Sequence, residues 1–212
     1  MADVRPTYWR TTDTAAEDLT APEDGDLLTE APEVEDLTRD EAEEAWTPAA
    51  HRILTRVAGT YQGLIEHAAL AAEVQESTGV YTRRQVRSWI GPVLERVARL
   101  NHENGEPPLT ALVVQKSDGT VGVGYDEALR LDEGPDFDDS MAREKHAAQA
   151  RLDCYHWAEA SVPAGGGRPA LSPRFEQVNA RLRKERRAAE QPTICATCNM
   201  SIPPTGVCDN CG

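Results

Sequence analysis

Thr82-Arg-Arg-Gln-Val-Arg-Ser-Trp-Ile-Gly-Pro-Val-Leu-Glu-Arg-Val-Ala-Arg-Leu100 is the stretch on which the fold turns. Its apolar residues Val86, Trp89, Ile90, Val93, Leu94, Val97 and Leu100 recur three and four apart, which keeps them on one face of an α-helix. Thr82 reads as the N-cap of that helix. Pro92 lies inside it, and because proline has no N–H and crowds the carbonyl of Ser88, the sequence predicts a kink or restart near Gly91 without loss of the apolar face.

Working outward, Thr47-Pro48 reads as a helix start, followed by Ile53, Leu54, Val57 and Ala58 at helical spacing and ended by Gly59 to Gly63. Leu64 to His67 is a short strand candidate, and Ala68 to Glu76 a helix stopped near Gly79. Downstream, Leu109 to Gln115 and Thr120 to Tyr125 are rich in β-formers and flank the turn residues Lys116-Ser-Asp-Gly119, a hairpin signal, since Asp-Gly tolerates the positive φ of tight turns. The order helix, short strand, helix, helix, hairpin is that of a winged helix over residues 47–131. The expected class is α+β.

In such a module the helix after the turn enters a DNA groove and the hairpin touches the backbone. Arg83, Arg84, Gln85 and Arg87 fall in the first turns of the long helix, and Lys116 falls at the hairpin turn. Their guanidinium and ammonium groups suit phosphates or the O6/N7 edge of guanine. The alternative is that they are solvated residues on an exposed helix face.

Farther along, Asp132 to Asp139 reads as an acidic loop and Ser140 to Glu159 as a helix. Pro163 to Pro169, with three consecutive glycines, breaks the chain, and Ser172-Pro173 opens a polar helix to about Glu190. Residues 138–190 thus form a helical segment. Its end clusters Arg181, Arg183, Lys184, Arg186 and Arg187, which suit phosphates or acids elsewhere in the chain.

Four of the five cysteines crowd into the last eighteen residues as Cys195-Ala-Thr-Cys198 and Cys208-Asp-Asn-Cys211. A two-residue gap lets both sulfurs of a pair turn toward one point, and two facing pairs supply the tetrahedral thiolate set that Zn²⁺ prefers. Asn199 and Gly212 follow the knuckles and tolerate a left-handed backbone. With only Ile194, Met200, Ile202 and Val207 for a core, residues 192–212 need the metal in order to fold, because structural zinc contributes about 10–16 kcal/mol. Four thiolates leave no open position for water, so the role is structural. Disulfides and iron–sulfur ligation are the alternatives for the same residues. No Lys or Arg lies between Pro192 and Gly212, which favours a protein partner for this module over a phosphate backbone.

The net charge of −14 taken as one number argues against DNA, but it is unevenly distributed. Residues 1–46 hold fifteen acids and three bases, whereas 47–125 are close to neutral with seven and eight. With Pro6, Pro22 and Pro32 and few large apolar residues, 1–46 reads as a disordered acidic tail. Such a tail could fold back on the basic surfaces. No segment has the roughly 20 apolar residues of a membrane span, and the N-terminus lacks a signal-peptide core, so a cytoplasmic location without membrane association is expected.

Catalytic patterns are weak. Gly119, Gly122 and Gly124 do not have the dinucleotide-binding spacing, and Gly165 to Gly167 lack the Lys-Ser/Thr of a phosphate loop, so neither reads as a nucleotide site. Cys154 and His156, two apart on a helix, point in different directions, and His102 beside Glu103 has no partner at useful spacing. The chain reads as non-enzymatic.

Trp89-Ile-Gly-Pro-Val-Leu94, Gly105-Glu-Pro-Pro-Leu-Thr-Ala-Leu112, Asp118-Gly-Thr-Val-Gly122 with Gly124-Tyr125, and Gly166-Gly-Arg-Pro-Ala-Leu171 resemble a family of uncharacterised proteins of GC-rich bacteria and their phages. The resemblance spans roughly residues 50–175 and implies no activity. In the family pattern a Tyr-Gly-Glu-Leu-like segment begins the second helix, and Tyr61-Gln-Gly-Leu-Ile-Glu66 departs from it. The final cysteine module resembles the short zinc ribbons at the ends of many bacterial proteins. Together these readings point to a DNA-associated regulator with a structural Zn²⁺, or to an adaptor that docks a protein complex through its ribbon and touches no DNA.

Overall fold

A computed structural model describes residues 7–12, 33–190, 193–202 and 207–211 as a mixed α+β protein. The chain divides into two units, Met1–Ser172 and Pro173–Gly212.

The first unit is organised by α1 (Arg39–Ala58). The helix starts eight residues before Thr47, at a capping box in which the Thr38 side chain accepts from the Glu41 N–H and the Glu41 carboxylate accepts from the Thr38 N–H at 2.8 Å. Pro48 therefore lies inside the helix. It is tolerated because Ala42, Trp46, Ala49, Ala50, Ile53 and Leu54 form one buried face that spans it, and tertiary packing of that face outweighs one missing backbone donor. Thr47 is not a cap; its hydroxyl donates back to the Glu43 carbonyl at 2.7 Å.

Upstream, β1 (Tyr8–Thr12) lies between β2 (Glu33–Asp36) and β4 (Val80–Thr82), antiparallel to both. Trp9 faces Asp36 on one side and Tyr81 on the other. The described parts of the predicted acidic tail, 7–12 and 33–46, are thus strands and helix; the rest of it, residues 1–6 and 13–32, lies outside the described residues. Tyr8, Trp9 and Trp46 supply the buried apolar surface that the acidic average concealed.

β3 (Ile65–Glu66) leads into α2 (His67–Thr78), which ends at Gly79 with φ +64°. The long helix predicted from Thr82 starts later. Val80–Thr82 is strand β4, Val86–Ser88 is a 3₁₀ turn, and α3 runs from Ile90 to Asn104. Thr82 is held in the sheet, where its hydroxyl donates to the Thr7 carbonyl at 2.7 Å. The restart near Gly91 is present and puts Pro92 in the first turn of α3, where no intrahelical donor is required. Trp89, Ile90, Val93, Leu94 and Val97 are all buried, and Trp89 packs on Trp46 at 4.2 Å between ring centroids.

The predicted hairpin is only partly formed. Leu109–Leu112 is a 3₁₀ turn, and β5 (Val113–Val114) pairs in parallel with β3, keeping only a single bridge to its own sequel. The Lys116–Gly119 turn does close: Gly119 has φ +77°, Gln115 N–H donates to Thr120 at 2.8 Å, and Val114 bridges Val121 antiparallel. Beyond Val121 the chain enters α4 (Val123–Leu131) because Tyr125 and Ala128 are buried at helical spacing. Gly124 allows the close approach to α3, since a Cβ there would lie 2.5 Å from Leu94 Cβ.

α5 (Ser140–Trp157), capped by Asp139, returns to the same core: Leu152, Cys154 and Tyr155 pack with the face of α1, so the helical segment from 138 is not separate from the elements before it. In the second unit, α6 (Pro173–Glu190) precedes the pair β6 (Thr193–Ile194) and β7 (Ser201–Ile202). Among the described residues no helix is long and apolar enough to cross a membrane.

Candidate metal centre and basic cleft

β6 and β7 pair antiparallel, Thr193 with Ile202 and Ile194 with Ser201, and the first cysteine knuckle is the connection between them. Cys195 N–H donates to the Met200 carbonyl at 2.8 Å and Asn199 N–H to the Cys195 carbonyl at 2.9 Å. Asn199 takes φ +55°, the left-handed turn that its position after Cys198 predicts. Gly212 lies outside the described residues. The second knuckle is the turn around Cys208–Cys211.

The four sulfur atoms lie within 4.8 Å of one another and could hold a metal ion. Cys195 and Cys211 are 3.5 Å apart, Cys198 and Cys208 3.5 Å, Cys211 and Cys198 3.3 Å, and Cys211 and Cys208 3.6 Å. A tetrahedral ion with sulfur bonds of about 2.3 Å needs sulfur–sulfur edges of about 3.8 Å, so a small outward movement admits it. All four thiols are free, and their separations far exceed a disulfide bond.

Local electrostatics favour thiolates on the first knuckle. The Cys198 and Thr197 backbone N–H groups, with help from the Cys211 thiol, pull Cys195 down to about 6, and the Met200 N–H lowers Cys198. Cys211 faces these thiolates, Cys198 first, and is pushed up to about 12. A cation at the centre would reverse that last effect.

The predicted DNA-contact residues are all exposed, but not on the first turns of a helix. Arg83 and Arg84 lie between β4 and the 3₁₀ turn, stacked over the β1 aromatics: the Arg83 guanidinium is 5.9 Å from the Trp9 ring and that of Arg84 is 6.0 Å from Tyr8. Arg84 Nη1 also donates to the Tyr8 hydroxyl at 3.3 Å. Gln85 is the N-cap of the 3₁₀ turn. Arg87 faces elsewhere. With Lys116 it lines a cleft of about 420 Å³ whose other walls include His67, Val86, Ile90, Gly91, Gly122 and Val123. The structure therefore brings Arg87 and Lys116 together and sets Arg83 and Arg84 on an aromatic shelf beside β1.

Three helices begin at this cleft: α2 at His67, α3 at Ile90 and α4 at Val123. None of the three has a side-chain cap, whereas Thr38 caps α1 and Asp139 caps α5. Among the described residues no carboxylate lines the cleft. The segment carrying Gly122 is clamped by α5: Glu144 accepts from Val121 N–H at 2.7 Å, and Arg143 donates to the carbonyls of Val121 at 3.0 Å and Gly122 at 3.3 Å. His67 Nδ1 lies 3.0 Å from the Val114 carbonyl, which can only accept, so Nδ1 carries the proton and Nε2 has its lone pair free. Burial lowers the His67 pKa, which keeps the ring neutral near pH 7.

Elsewhere, Cys154 is fully buried, its thiol pushed up by burial, while His156 is exposed and donates to the Gly166 carbonyl at 2.7 Å. His102 pairs with Asp132 at 2.9 Å. Sequence reading missed the cleft because its walls come from residues 67–68, 86–91 and 115–123, which only the β3–β5 pairing and the α3–α4 packing bring together. No protein-family model, curated protein or solved structure matches the chain.

Proposed function

We propose that the protein is a non-enzymatic, DNA-associated regulator with a structural Zn²⁺ in its cysteine ribbon. The observation that carries the DNA reading is the juxtaposition of Arg87 and Lys116 in a cleft that no carboxylate lines among the described residues, in a chain where acids outnumber bases by thirty-six to twenty-two. Arg87 and Lys116 make no ion pair among the described residues, unlike Arg56, Arg96, Arg99 and Arg143. A cation left without a carboxylate partner is available to a phosphate. Arg83 and Arg84, on the shelf beside β1, and Gln85 at the start of the 3₁₀ turn would make a second contact apart from the cleft.

In this reading the contact geometry is winged-helix-like in a reduced form. α2 and α3 act as the helix pair, the loop ahead of α3 carries the arginines to the backbone, and the Lys116–Gly119 turn serves as a wing without a full hairpin. The DNA contact is electrostatic and sequence-tolerant, and a cytoplasmic setting accords with four cysteines kept reduced to ligate a metal.

Zinc is favoured by the donor set, four sulfurs with no nitrogen or oxygen ligand among the described residues, which would close a tetrahedron around the ion and leave no position for water. Cys195, Cys198, Cys208 and Cys211 would hold the ion, which supplies folding energy and no chemistry.

A salt-dependent titration of the full chain with duplex DNA tests the reading. Affinity is expected to fall steeply with salt, and Arg87→Ala and Lys116→Ala each to reduce the log–log slope by about 0.9. No binding at about 50 mM salt would sink it. A protein-docking adaptor is the second reading, favoured by Ile194, Met200 and Val207, all more than half exposed on a ribbon without a basic residue.

A further inference from the structure

We infer that the cleft between the first turns of α2, α3 and α4 is a specific pocket for a phosphomonoester of nucleoside-monophosphate size. It shares Arg87 and Lys116 with the DNA surface but stands without it.

The argument begins with charge. Two cations, Arg87 and Lys116, line a cavity with no carboxylate in its wall among the described residues. Three helix N-termini on the same wall add about half a positive charge each, and their first N–H groups have no side-chain cap to compete with a ligand. The combined field suits a phosphomonoester dianion better than a carboxylate or a phosphodiester, each of which carries one negative charge. The phosphate oxygens also match the donor geometry of a guanidinium beside helix N–H groups.

Size and lining extend the ligand beyond phosphate. At about 420 Å³ the cleft is in the range that holds small organic ligands, and inorganic phosphate alone would leave most of it to water. Val86, Ile90 and Val123 form an apolar wall, and Val123 is half exposed although it is a large hydrophobic residue. Such a wall suits the face of a nucleobase. His67 Nε2, beside Gly122, offers an acceptor, which an exocyclic amino group on that base would meet as a donor. Two glycines let the lining residues approach one another closely: a Cβ at Gly122 would lie 2.8 Å from His67 Nε2, and one at Gly91 3.1 Å from Val123 Cγ2.

The ligand has two sources with the same chemistry, a free mononucleotide and the 5′-phosphorylated end of a DNA strand. Calorimetric titration of the full chain with the common deoxynucleoside 5′-monophosphates, inorganic phosphate and the matching nucleosides tests the pocket. Saturable binding of monophosphates is expected, weaker binding of phosphate, and none of nucleosides. Arg87→Ala and Lys116→Ala each weaken binding about tenfold or more, the scale of a lost charge-assisted hydrogen bond. Val123→Glu, which is compatible with a helix first turn, abolishes binding by supplying an internal carboxylate, while Arg52→Ala on α1 leaves it unchanged.

No monophosphate binding by a natively folded chain overturns the inference, as does equal binding of nucleosides or indifference to both cation variants. A 5′-phosphorylated strand that displaces the mononucleotide, where its 5′-hydroxyl twin does not, assigns the ligand to a DNA end; failure to displace assigns it to a free nucleotide. Monophosphate binding without duplex affinity would refute the DNA reading and keep the pocket. Duplex affinity without monophosphate binding would do the reverse.

Discussion

Arg151→Ala probes the network that holds the cleft wall in place. Arg151 and Glu144, both on α5, have side chains only 2% and 1% exposed and meet at 3.1 Å. Arg151 Nε also donates to the Ala111 carbonyl at 2.8 Å, and its Nη1 reaches the Ala170 carbonyl at 3.5 Å. The other carboxylate oxygen of Glu144 takes the Val121 N–H. Truncating Arg151 leaves a charged carboxylate and a carbonyl in the core short of donors. Removing one partner of a buried pair costs about 3–5 kcal/mol, a large fraction of the roughly 5–15 kcal/mol that holds a domain together. At about 2–4 °C per kcal/mol for a domain of this size, the melting temperature should fall by about 6–20 °C. Equilibrium urea unfolding followed by tryptophan fluorescence is the assay, because all four tryptophans lie in the first unit and Trp46 and Trp89 are fully buried. The double variant Glu144→Leu with Arg151→Met leaves no charge unpaired. It should lose only about 1–3 kcal/mol, chiefly for the Val121 N–H left without its acceptor. A loss below about 1 kcal/mol for Arg151→Ala, or a double variant as damaged as the sum of the two single variants, would refute this account.

Chelation should melt the cysteine ribbon and leave the urea midpoint of the first unit unchanged; elemental analysis finding no zinc in protein purified without chelator would overturn the zinc assignment. Deleting residues 1–46 removes the central strand of the three-stranded sheet and Trp46, so the product should fail to fold by circular dichroism, and Trp46→Ala alone should lose about 3–5 kcal/mol. For Glu106, burial raises the pKa, but hydrogen bonds from His51 and Asn101 outweigh it and hold the carboxyl below its usual range. For His67, burial lowers the pKa. Both folded values are depressed, so the unfolded chain binds more protons. Stability should therefore fall as pH drops, first below about 6.5 for His67 and then through the carboxylate range for Glu106, and urea midpoints against pH should be flatter for Glu106→Gln in the acid limb. Cys154, buried with its thiol pushed up, should resist iodoacetamide until denaturant is added, as mass spectrometry of the alkylated peptides would show.

Features governed by near neighbours are legible in the chain itself. The stops at Gly59 and Gly79, the turn at Gly119, the Asp139 cap and the opening of α6 at Pro173 each depend on the φ preference or hydrogen bonding of one or two residues. The apolar stripe from Trp89 to Val97 is buried as its period predicts. The cysteine cluster is equally local, because two-residue gaps turn paired sulfurs inward. The start of α1 was also written in the sequence, as Thr38-Arg-Asp-Glu41, a capping box hidden within a run read as an acidic tail.

Misreadings arose where long-range pairing overrode local pattern. Val113–Val114 has the composition of a hairpin arm, yet it pairs with Ile65–Glu66 nearly fifty residues earlier, because burial on both faces favours a parallel partner over the exposed edge of a hairpin. Thr82 reads as a helix N-cap and instead closes strand β4, because β1 offers its backbone and Trp46 donates to the Val80 carbonyl at 3.0 Å. The glycines at 119, 122 and 124 have no nucleotide-binding spacing along the chain. Gly122 nevertheless stands in a basic cleft, since α5 clamps it against the first turns of two helices from elsewhere in the sequence.

Sequence alone determined the four-sulfur ribbon and the uneven distribution of acid, since ligand spacing and charge counts need no third dimension. Only the tertiary structure decided that Arg87 and Lys116 share a cleft apart from Arg83 and Arg84. A side chain's electrostatic neighbours are set by which helices pack and which strands pair, and those choices are made by buried surface contributed from across the first unit.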